Sequence, residues 1–138
     1  QSYVVKLATY SGTFEPDEVI TQASTGASGK VVEFDPTLNL LYYQQESFKG
    51  FGTNATSGAY VAFSGANLIT GGTSGATGTP STTTESVTLA SGSTLSLTSG
   101  YANPELESYS GNMIYLENRK PIQRASDQTE DIKIIIEF

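Results

Sequence analysis

Short segments in which apolar and polar residues alternate run through most of this chain and limit it to β structure. The clearest is Ile132–Phe138, where isoleucines occupy every second position and Lys133 and Glu137 lie between them. One turn of helix is predicted, at Asn103–Glu107. Segments bounded by Gly, Pro, Asp or Asn predict strands at Ser2–Tyr10, Glu18–Ser24, Lys30–Asp35, Leu38–Gln45, Asn67–Gly71, Ser86–Ala90, Ser93–Ser99, Asn112–Asn118 and Ile132–Phe138. The sequence therefore predicts an all-β protein, an antiparallel β-sandwich or barrel.

The length of 138 residues fits a single all-β domain. A small β-module at 1–80 packed with a C-terminal sheet at 81–138 is the other division we expect. Between Thr70 and Gly100 the chain is dominated by Ser, Thr and Gly and carries one charge, Glu85. This composition is typical of long loops between strands. Because the chain begins with Gln1 and not methionine, we expect it to be a fragment of a longer polypeptide.

An internal repeat is visible, since Val19–Lys30 and Leu68–Thr79 share five identities at a constant spacing of 49 residues. The shared pattern predicts a strand, a tight turn that needs glycine at positive φ, and a second strand. Chains rich in Gly, Ser and Thr also produce such matches by chance. Both explanations stay open at this point.

The composition excludes several functions. A net charge of −7 disfavours nucleic-acid binding, because phosphates would be repelled. No apolar run is long enough for a membrane span, so we expect no membrane contact. The chain has no His and no Cys, which rules out Ser–His–Asp and Cys–His catalysis, and no phosphate-binding loop occurs. We therefore expect a protein that is not an enzyme and has no cofactor and no metal site.

Two clusters of carboxylates and one group of aromatic residues support alternative functions. The acids could serve glycoside hydrolysis or Ca²⁺ binding, although solvated turn carboxylates are the more ordinary explanation. The aromatic residues could form a sugar-stacking surface, although such residues more often fill a core or a protein interface. The acidic clusters are Glu15, Asp17 and Glu18, and Asp127, Glu130 and Asp131; the aromatic group is Tyr42, Tyr43, Phe48 and Phe51.

The last third of the chain carries the most specific string, SGNMIYLENRKPIQRASDQTEDIKIIIEF at Ser110–Phe138. It resembles the C-terminal signature of the small β-rich baseplate wedge subunits of T-even-type contractile-tailed phages. In that family a Gly-x-x-x-Tyr-x-x-Asn-Arg-x-Pro-Ile-x-Arg pattern precedes Asp-Gln-Thr-Glu and a final strand. The matching positions here are Gly111, Tyr115, Asn118, Arg119, Pro121, Ile122, Arg124, Asp127, Gln128, Thr129 and Glu130.

The resemblance implies a structural virion protein of the phage tail baseplate, assembled in the host cytoplasm. It further implies contacts with other baseplate and tail proteins, and a homodimer or higher homo-oligomer. The alternative is a carbohydrate- or receptor-binding module of a tail fibre or adhesin. A glycosidase using two carboxylates is a third function to test.

The charges of the C-terminal segment predict a structural clamp. Arg119 and Arg124 can each bind a carboxylate through two hydrogen bonds, and Pro121 suits a bend. Such a clamp would fix the chain before the last strand, with Phe138 anchored in the core or against a neighbouring subunit. In the other interpretation the arginines face solvent and bind an anionic partner. The predicted clamp and interface residues are Tyr115, Glu117, Asn118, Arg119, Pro121, Arg124, Asp127, Gln128, Glu130 and Phe138.

Overall fold

The computed structural model describes residues 2–45, 52, 59–103 and 114–118 and confirms the all-β prediction. Every strand pairing in the described part of the chain is antiparallel, and no helix occurs there. The strands are β1 Tyr3–Ser11, β2 Val19–Gln22, β3 Ala27–Asp35, β4 Leu40–Gln44, β5 Ile69–Gly71, β6 Thr77–Pro80, β7 Glu85–Thr88, β8 Thr94–Leu97 and β9 Tyr101–Ala102.

Six of these strands form a closed barrel, so of the two predicted architectures, sandwich and barrel, the structure has the barrel. The larger sheet has the order β4-β3-β2-β5-β6-β1-β9. The first half of β1, Tyr3–Lys6, also pairs with β4, so the ring closes. The second half of β1 pairs with β6, and the short β9 lies beside Val4 and Val5. Closure gives each ring strand two hydrogen-bonded neighbours.

The barrel interior holds the main hydrophobic core, to which every ring strand but β6 contributes a large apolar side chain. Strand β6 contributes glycine instead. A Cβ at Gly78 would lie 2.6 Å from Leu7 Cδ1, so glycine there leaves room for the leucine. The buried residues of this cluster are Val5, Leu7, Phe14, Ile20, Ala27, Val31, Leu41, Tyr43, Phe63, Ile69 and Ala76.

The internal repeat proves to be structural, because both copies fold as the same strand–turn–strand unit. Gly26 and Gly75 occupy the same turn position with φ of 76° and 67°. In each turn the hydroxyl one residue before the glycine accepts a hydrogen bond from the amide one residue after it. The Ala27 N–H binds Thr25 Oγ1 at 3.3 Å, and the Ala76 N–H binds Ser74 Oγ at 3.1 Å.

The repeat is longer than the sequence comparison indicated. Phe14 and Phe63 have the same spacing of 49 residues, and both are buried in the barrel core. Thr21 and Thr70, another equivalent pair, lie directly opposite each other where β2 meets β5. Exchanging the unit β1–β2–β3 with the unit β4–β5–β6 leaves the order of strands around the ring unchanged. The strand order of the barrel therefore has approximate twofold symmetry, in which the 49-residue spacing relates β2 to β5 and β3 to β6.

Strands β7 and β8 form a hairpin on the outside of the barrel. Val87 and Leu97 from the hairpin are buried together with Val4 and Leu40 from the outer barrel wall. A salt bridge of 2.8 Å between Lys6 Nζ and Glu85 Oε2 joins the same two elements. The barrel wall thus supplies the apolar surface that a two-stranded hairpin cannot provide for itself.

The predicted strands differ from the observed ones in three places. Strand β9 was not predicted, and β6 was predicted only as the second strand of the repeat. The prediction of a strand at Asn112–Asn118 is wrong for its described part, 114–118, which is in neither strand nor helix. That segment pairs with no described strand, and apolar residues alone do not make a strand without a partner. The strand predicted at Ile132–Phe138 lies outside the described residues, as do Pro104–Glu107 of the helical turn.

Candidate functional site

The most elaborate polar site in the described structure surrounds Glu18, whose side chain is buried with 4% exposure. Its carboxylate accepts hydrogen bonds from the backbone N–H groups of Glu15 at 2.7 Å, Thr73 at 3.0 Å and Ser74 at 2.9 Å. The Ser74 hydroxyl donates as well, at 2.8 Å. Glu18 therefore ties the turn that precedes β2 to the turn between β5 and β6.

The electrostatics of Glu18 follow from these contacts. Burial raises the pKa of its carboxyl, but hydrogen bonds from Ser74, Glu15 and Thr73 outweigh burial, so the pKa lies below its ordinary value. The folded protein thus favours the ionised form of this carboxyl more than water does. A carboxylate held in this way accepts hydrogen bonds and is a poor proton donor.

Two buried glutamines hold the segment 59–68 against the barrel. The Gln22 amide donates to the Asn67 carbonyl at 2.9 Å and accepts from the Ser64 N–H at 3.1 Å. The Gln45 amide donates to the carbonyls of Ser28 at 2.8 Å and Val61 at 2.9 Å. These contacts give hydrogen-bond partners to backbone groups of the segment 59–68, which forms no continuous strand pairing.

The first predicted acidic cluster does not form a paired carboxylate site. Glu18 is enclosed by donors, and Asp17 Oδ1 pairs with Lys30 Nζ at 2.9 Å on the surface. The side chain of Glu15 is exposed. Within the described ranges no group of acids is arranged to hold a metal ion. The second cluster, at 127–131, lies outside the described residues.

The predicted aromatic surface is not formed by Tyr42 and Tyr43. Tyr43 lies in the barrel core at 2% exposure, where its ring meets Phe63 edge to face with centroids 4.8 Å apart. Burial raises the pKa of its hydroxyl far above the ordinary value. Tyr42 is half-buried against the apolar contact between the barrel wall and the hairpin, and Phe48 and Phe51 lie outside the described residues. These tyrosines therefore support the fold.

An open groove of about 190 Å³ lies beside β1 and β6. Tyr10 and Leu68 contribute its apolar surface, and the hydroxyls of Thr9, Ser11 and Thr77 contribute its polar groups. No charged side chain lines this groove. It therefore contains no carboxylate pair of the kind that glycoside hydrolysis uses.

Three of the predicted clamp residues, Tyr115, Glu117 and Asn118, are described, and all three are exposed. The neighbouring apolar side chains are exposed too, Ile114 at 99% and Leu116 at 73%, with Tyr115 at 78%. Three consecutive large apolar residues cannot all be exposed while the segment lies on a sheet, where alternate residues face inward. The remaining predicted residues, Arg119, Pro121, Arg124, Asp127, Gln128, Glu130 and Phe138, lie outside the described residues.

Sequence reasoning missed the loop contacts of Glu18, Gln22 and Gln45, and it also missed Phe14 and Phe63. The paired phenylalanines carried a usable signal, because extending the repeat five residues towards the N-terminus reaches both. The polar contacts carried none, since all the named partners except the Glu15 N–H lie 16 to 56 residues away along the chain.

Barrel, hairpin and enclosed polar side chains together define an antiparallel β protein whose buried polar groups hold loops in place. The C-terminal part is similar to a known family. Residues 82–138 match the family model of bacteriophage T4 Gp8. The baseplate wedge protein gp8 of Enterobacteria phage T4 is 56% identical to this chain over 39 residues. The resemblance of the C-terminal segment to the baseplate wedge family is thereby confirmed.

These matches cover only part of either protein. The aligned segment is 28% of this chain and 12% of the phage T4 protein, so the chain spans a small part of that relative's length. No solved structure matches the chain. The family match begins at residue 82, just after β6 closes the barrel and just before β7 starts the hairpin.

Proposed function

We propose that this protein is a structural component of the baseplate of a contractile phage tail, located in the virion and acting through contacts with other baseplate proteins. The match of residues 82–138 to the Gp8 family carries this proposal. The barrel supports it, because its polar groups are used to hold loops and its groove has no charged lining. In this function the protein performs no catalysis, binds no nucleic acid or membrane, and assembles in the host cytoplasm.

The exposed segment Ile114–Leu116 is the described surface that best fits a contact with another baseplate protein. Large apolar side chains at such exposure are typical of interaction sites, and aromatic residues are enriched there. The segment belongs to the part of the chain that matches the family. We expect it to become buried when the baseplate assembles.

The test is assembly of the purified full chain with the purified wedge proteins of the same phage, followed by analytical ultracentrifugation. We expect co-sedimentation, with binding weakened at least tenfold by Tyr115→Ala, because buried aromatic residues dominate such interfaces. Tyr60→Ala is the matched control, since Tyr60 is 45% exposed in the barrel half of the chain. Failure of the unmodified chain to co-sediment with any wedge protein contradicts the proposal.

The clamp belongs to the same proposal. Arg119 and Arg124 would bind carboxylates near them in sequence, Glu117 among these, and Phe138 would anchor the end of the chain. Deleting Phe138 is expected to lower the melting temperature by several degrees, since loss of a buried aromatic costs about 3–5 kcal/mol. An unchanged melting curve contradicts the anchoring.

The resemblance also implies a homodimer or higher homo-oligomer. Sedimentation equilibrium of the full chain alone measures this directly. A mass equal to one chain at all concentrations contradicts a homo-oligomer.

A further inference from the structure

The two halves of the barrel hold each other far more than they hold themselves. Of the six pairings around the ring, only β2–β3 and β5–β6 lie within one half. The other four, β1–β4, β1–β6, β2–β5 and β3–β4, join one half to the other. Strand β1 has all its ring partners in the second half, and β4 has all its ring partners in the first.

One short turn connects the halves. Residues 36–39 link β3 to β4, and the Asp35 carboxylate accepts hydrogen bonds there from the N–H groups of Thr37 at 2.8 Å and Leu38 at 3.2 Å. Asn39 ends the turn with φ of 58°, a left-handed conformation that asparagine adopts more readily than most residues but less readily than glycine. The turn is therefore held closed by Asp35 and carries a small backbone strain at Asn39.

We propose that two copies of this chain exchange halves, so that β1–β2–β3 of each copy closes a barrel with β4–β5–β6 of the other. The exchanged dimer makes the same six ring pairings per barrel and buries the same core, with the strained turn straightened. Only an identical chain offers the complementary half, so the partner is a second copy. This inference rests on the barrel alone and goes beyond the proposed contacts of the C-terminal part.

A disulfide between the two halves of the barrel distinguishes the exchange of halves from every other kind of dimer. Thr21 and Thr70 lie directly opposite each other on β2 and β5. The chain contains no cysteine, so Thr21→Cys with Thr70→Cys introduces one defined pair. Within a closed barrel this pair links a chain to itself, whereas in the exchanged dimer it links two chains. Thr21→Cys with Thr77→Cys is the control, since Thr77 lies on the next strand beyond Thr70.

The experiment refolds the full chain from denaturant at low and at high protein concentration, oxidises it, and separates the products on a non-reducing denaturing gel. At low concentration we expect self-linked monomer. At high concentration we expect covalent dimer from the Thr21–Thr70 pair and none from the control pair. Self-linked monomer alone at high concentration overturns the proposal, even where size-exclusion chromatography shows a dimer, because that dimer is not an exchanged one.

Variants of the connecting turn test the same proposal without cysteines. Asn39→Gly relieves the strain of the closed turn and should lower the dimer fraction roughly fivefold. Asp35→Ala removes the contact that holds the turn and should raise it roughly fivefold. Ser99→Gly is the matched control, because Ser99 also has a left-handed φ, of 50°, but lies outside the turn. A dimer fraction that all three variants leave unchanged contradicts exchange through this turn.

Discussion

Glu18 illustrates how a side chain with an ordinary sequence context can organise two distant loops. Its neighbours Glu15 and Asp17 are exposed, and nothing in the local sequence separates the three acids. Only the fold brings the turn at Thr73 and Ser74 over Glu18, where three backbone N–H groups converge on the carboxylate. Hydrogen bonds to a buried charge are among the stronger polar contacts in proteins.

Glu18→Gln is expected to lower the free energy of unfolding by about 2 kcal/mol, because the amide replaces a charged acceptor and brings donors of its own towards the surrounding N–H groups. Urea unfolding measures the change. Glu15→Gln is the control, since it removes a carboxylate three residues away that is exposed, and its effect should stay below about 0.5 kcal/mol. Equal effects of the two variants would contradict a special role for Glu18.

The pH dependence of stability follows from the lowered pKa of Glu18. A group whose pKa is lower in the folded than in the unfolded protein stabilises the fold fully above its unfolded pKa, near 4.5. That contribution is lost as the pH falls through the folded value. The difference in unfolding free energy between the unmodified chain and Glu18→Gln should therefore shrink between about pH 5 and pH 2. A difference that stays constant down to pH 2 would show that the charge is not responsible.

At the scale of elements, the junction between barrel and hairpin depends on a tight approach of two backbone segments. Gly100 has φ of 84°, and a Cβ there would overlap the Ser81 carbonyl oxygen. The backbone of Gly100 forms hydrogen bonds to the barrel and to the segment before the hairpin. The Lys6 N–H of β1 donates to the Gly100 carbonyl, and the Gly100 N–H donates to the Thr83 carbonyl just before β7. Gly92, in the hairpin turn, has the same φ of 84° but open space around it.

Gly100→Ala should therefore destabilise the protein by about 2 kcal/mol more than Gly92→Ala. Both variants carry the left-handed backbone penalty, so their difference isolates the collision with Ser81. Thermal unfolding of the two variants side by side measures it. Equal melting temperatures would show that the two backbone segments at the junction can move apart without a loss of stability.

Most of the described strands were predictable from local patterns, whereas their arrangement was not. Segments such as Lys30–Asp35 can be predicted as strands, because β-branched and aromatic residues lie there between turn-forming residues. Strand β9, at Tyr101–Ala102, is two residues long and exists because β1 offers it a partner, so no local pattern marks it. Barrel closure likewise depends on a contact between distant segments and not on a local pattern, because Tyr3–Lys6 pairs with β4, which is far away in sequence.

For the molecule as a whole, the approximate symmetry predicts that equivalent core residues contribute alike. Phe14→Ala and Phe63→Ala should each lower the free energy of unfolding by about 3–5 kcal/mol, because both rings are buried in one cluster. The dependence of that free energy on urea concentration should stay the same in both, as expected for one cooperative unit. A large loss in one variant and a small loss in the other would show that the halves are not equivalent in energy.

The predictions about the candidate site also fall into two groups, those that depend on local sequence and those that depend on the fold. The resemblance of the C-terminal part to the baseplate wedge family was predictable, because Ser110–Phe138 is a long and specific string, and the match to residues 82–138 confirms that resemblance. The carboxylate and aromatic alternatives at Glu18 and Tyr43 failed for a physical reason. Residue type alone does not say whether a polar or aromatic group faces solvent or is buried in the fold.

Closure of the ring also determines where another protein could add a strand. Each of the six ring strands has a hydrogen-bonded neighbour on both sides over part of its length, so none of them is an edge strand along its whole length. Among the described strands, the hairpin β7–β8 is a sheet of only two strands and keeps outward-facing edges. Extension of a sheet by another polypeptide would thus begin on the hairpin, and the barrel would remain a closed support beneath it.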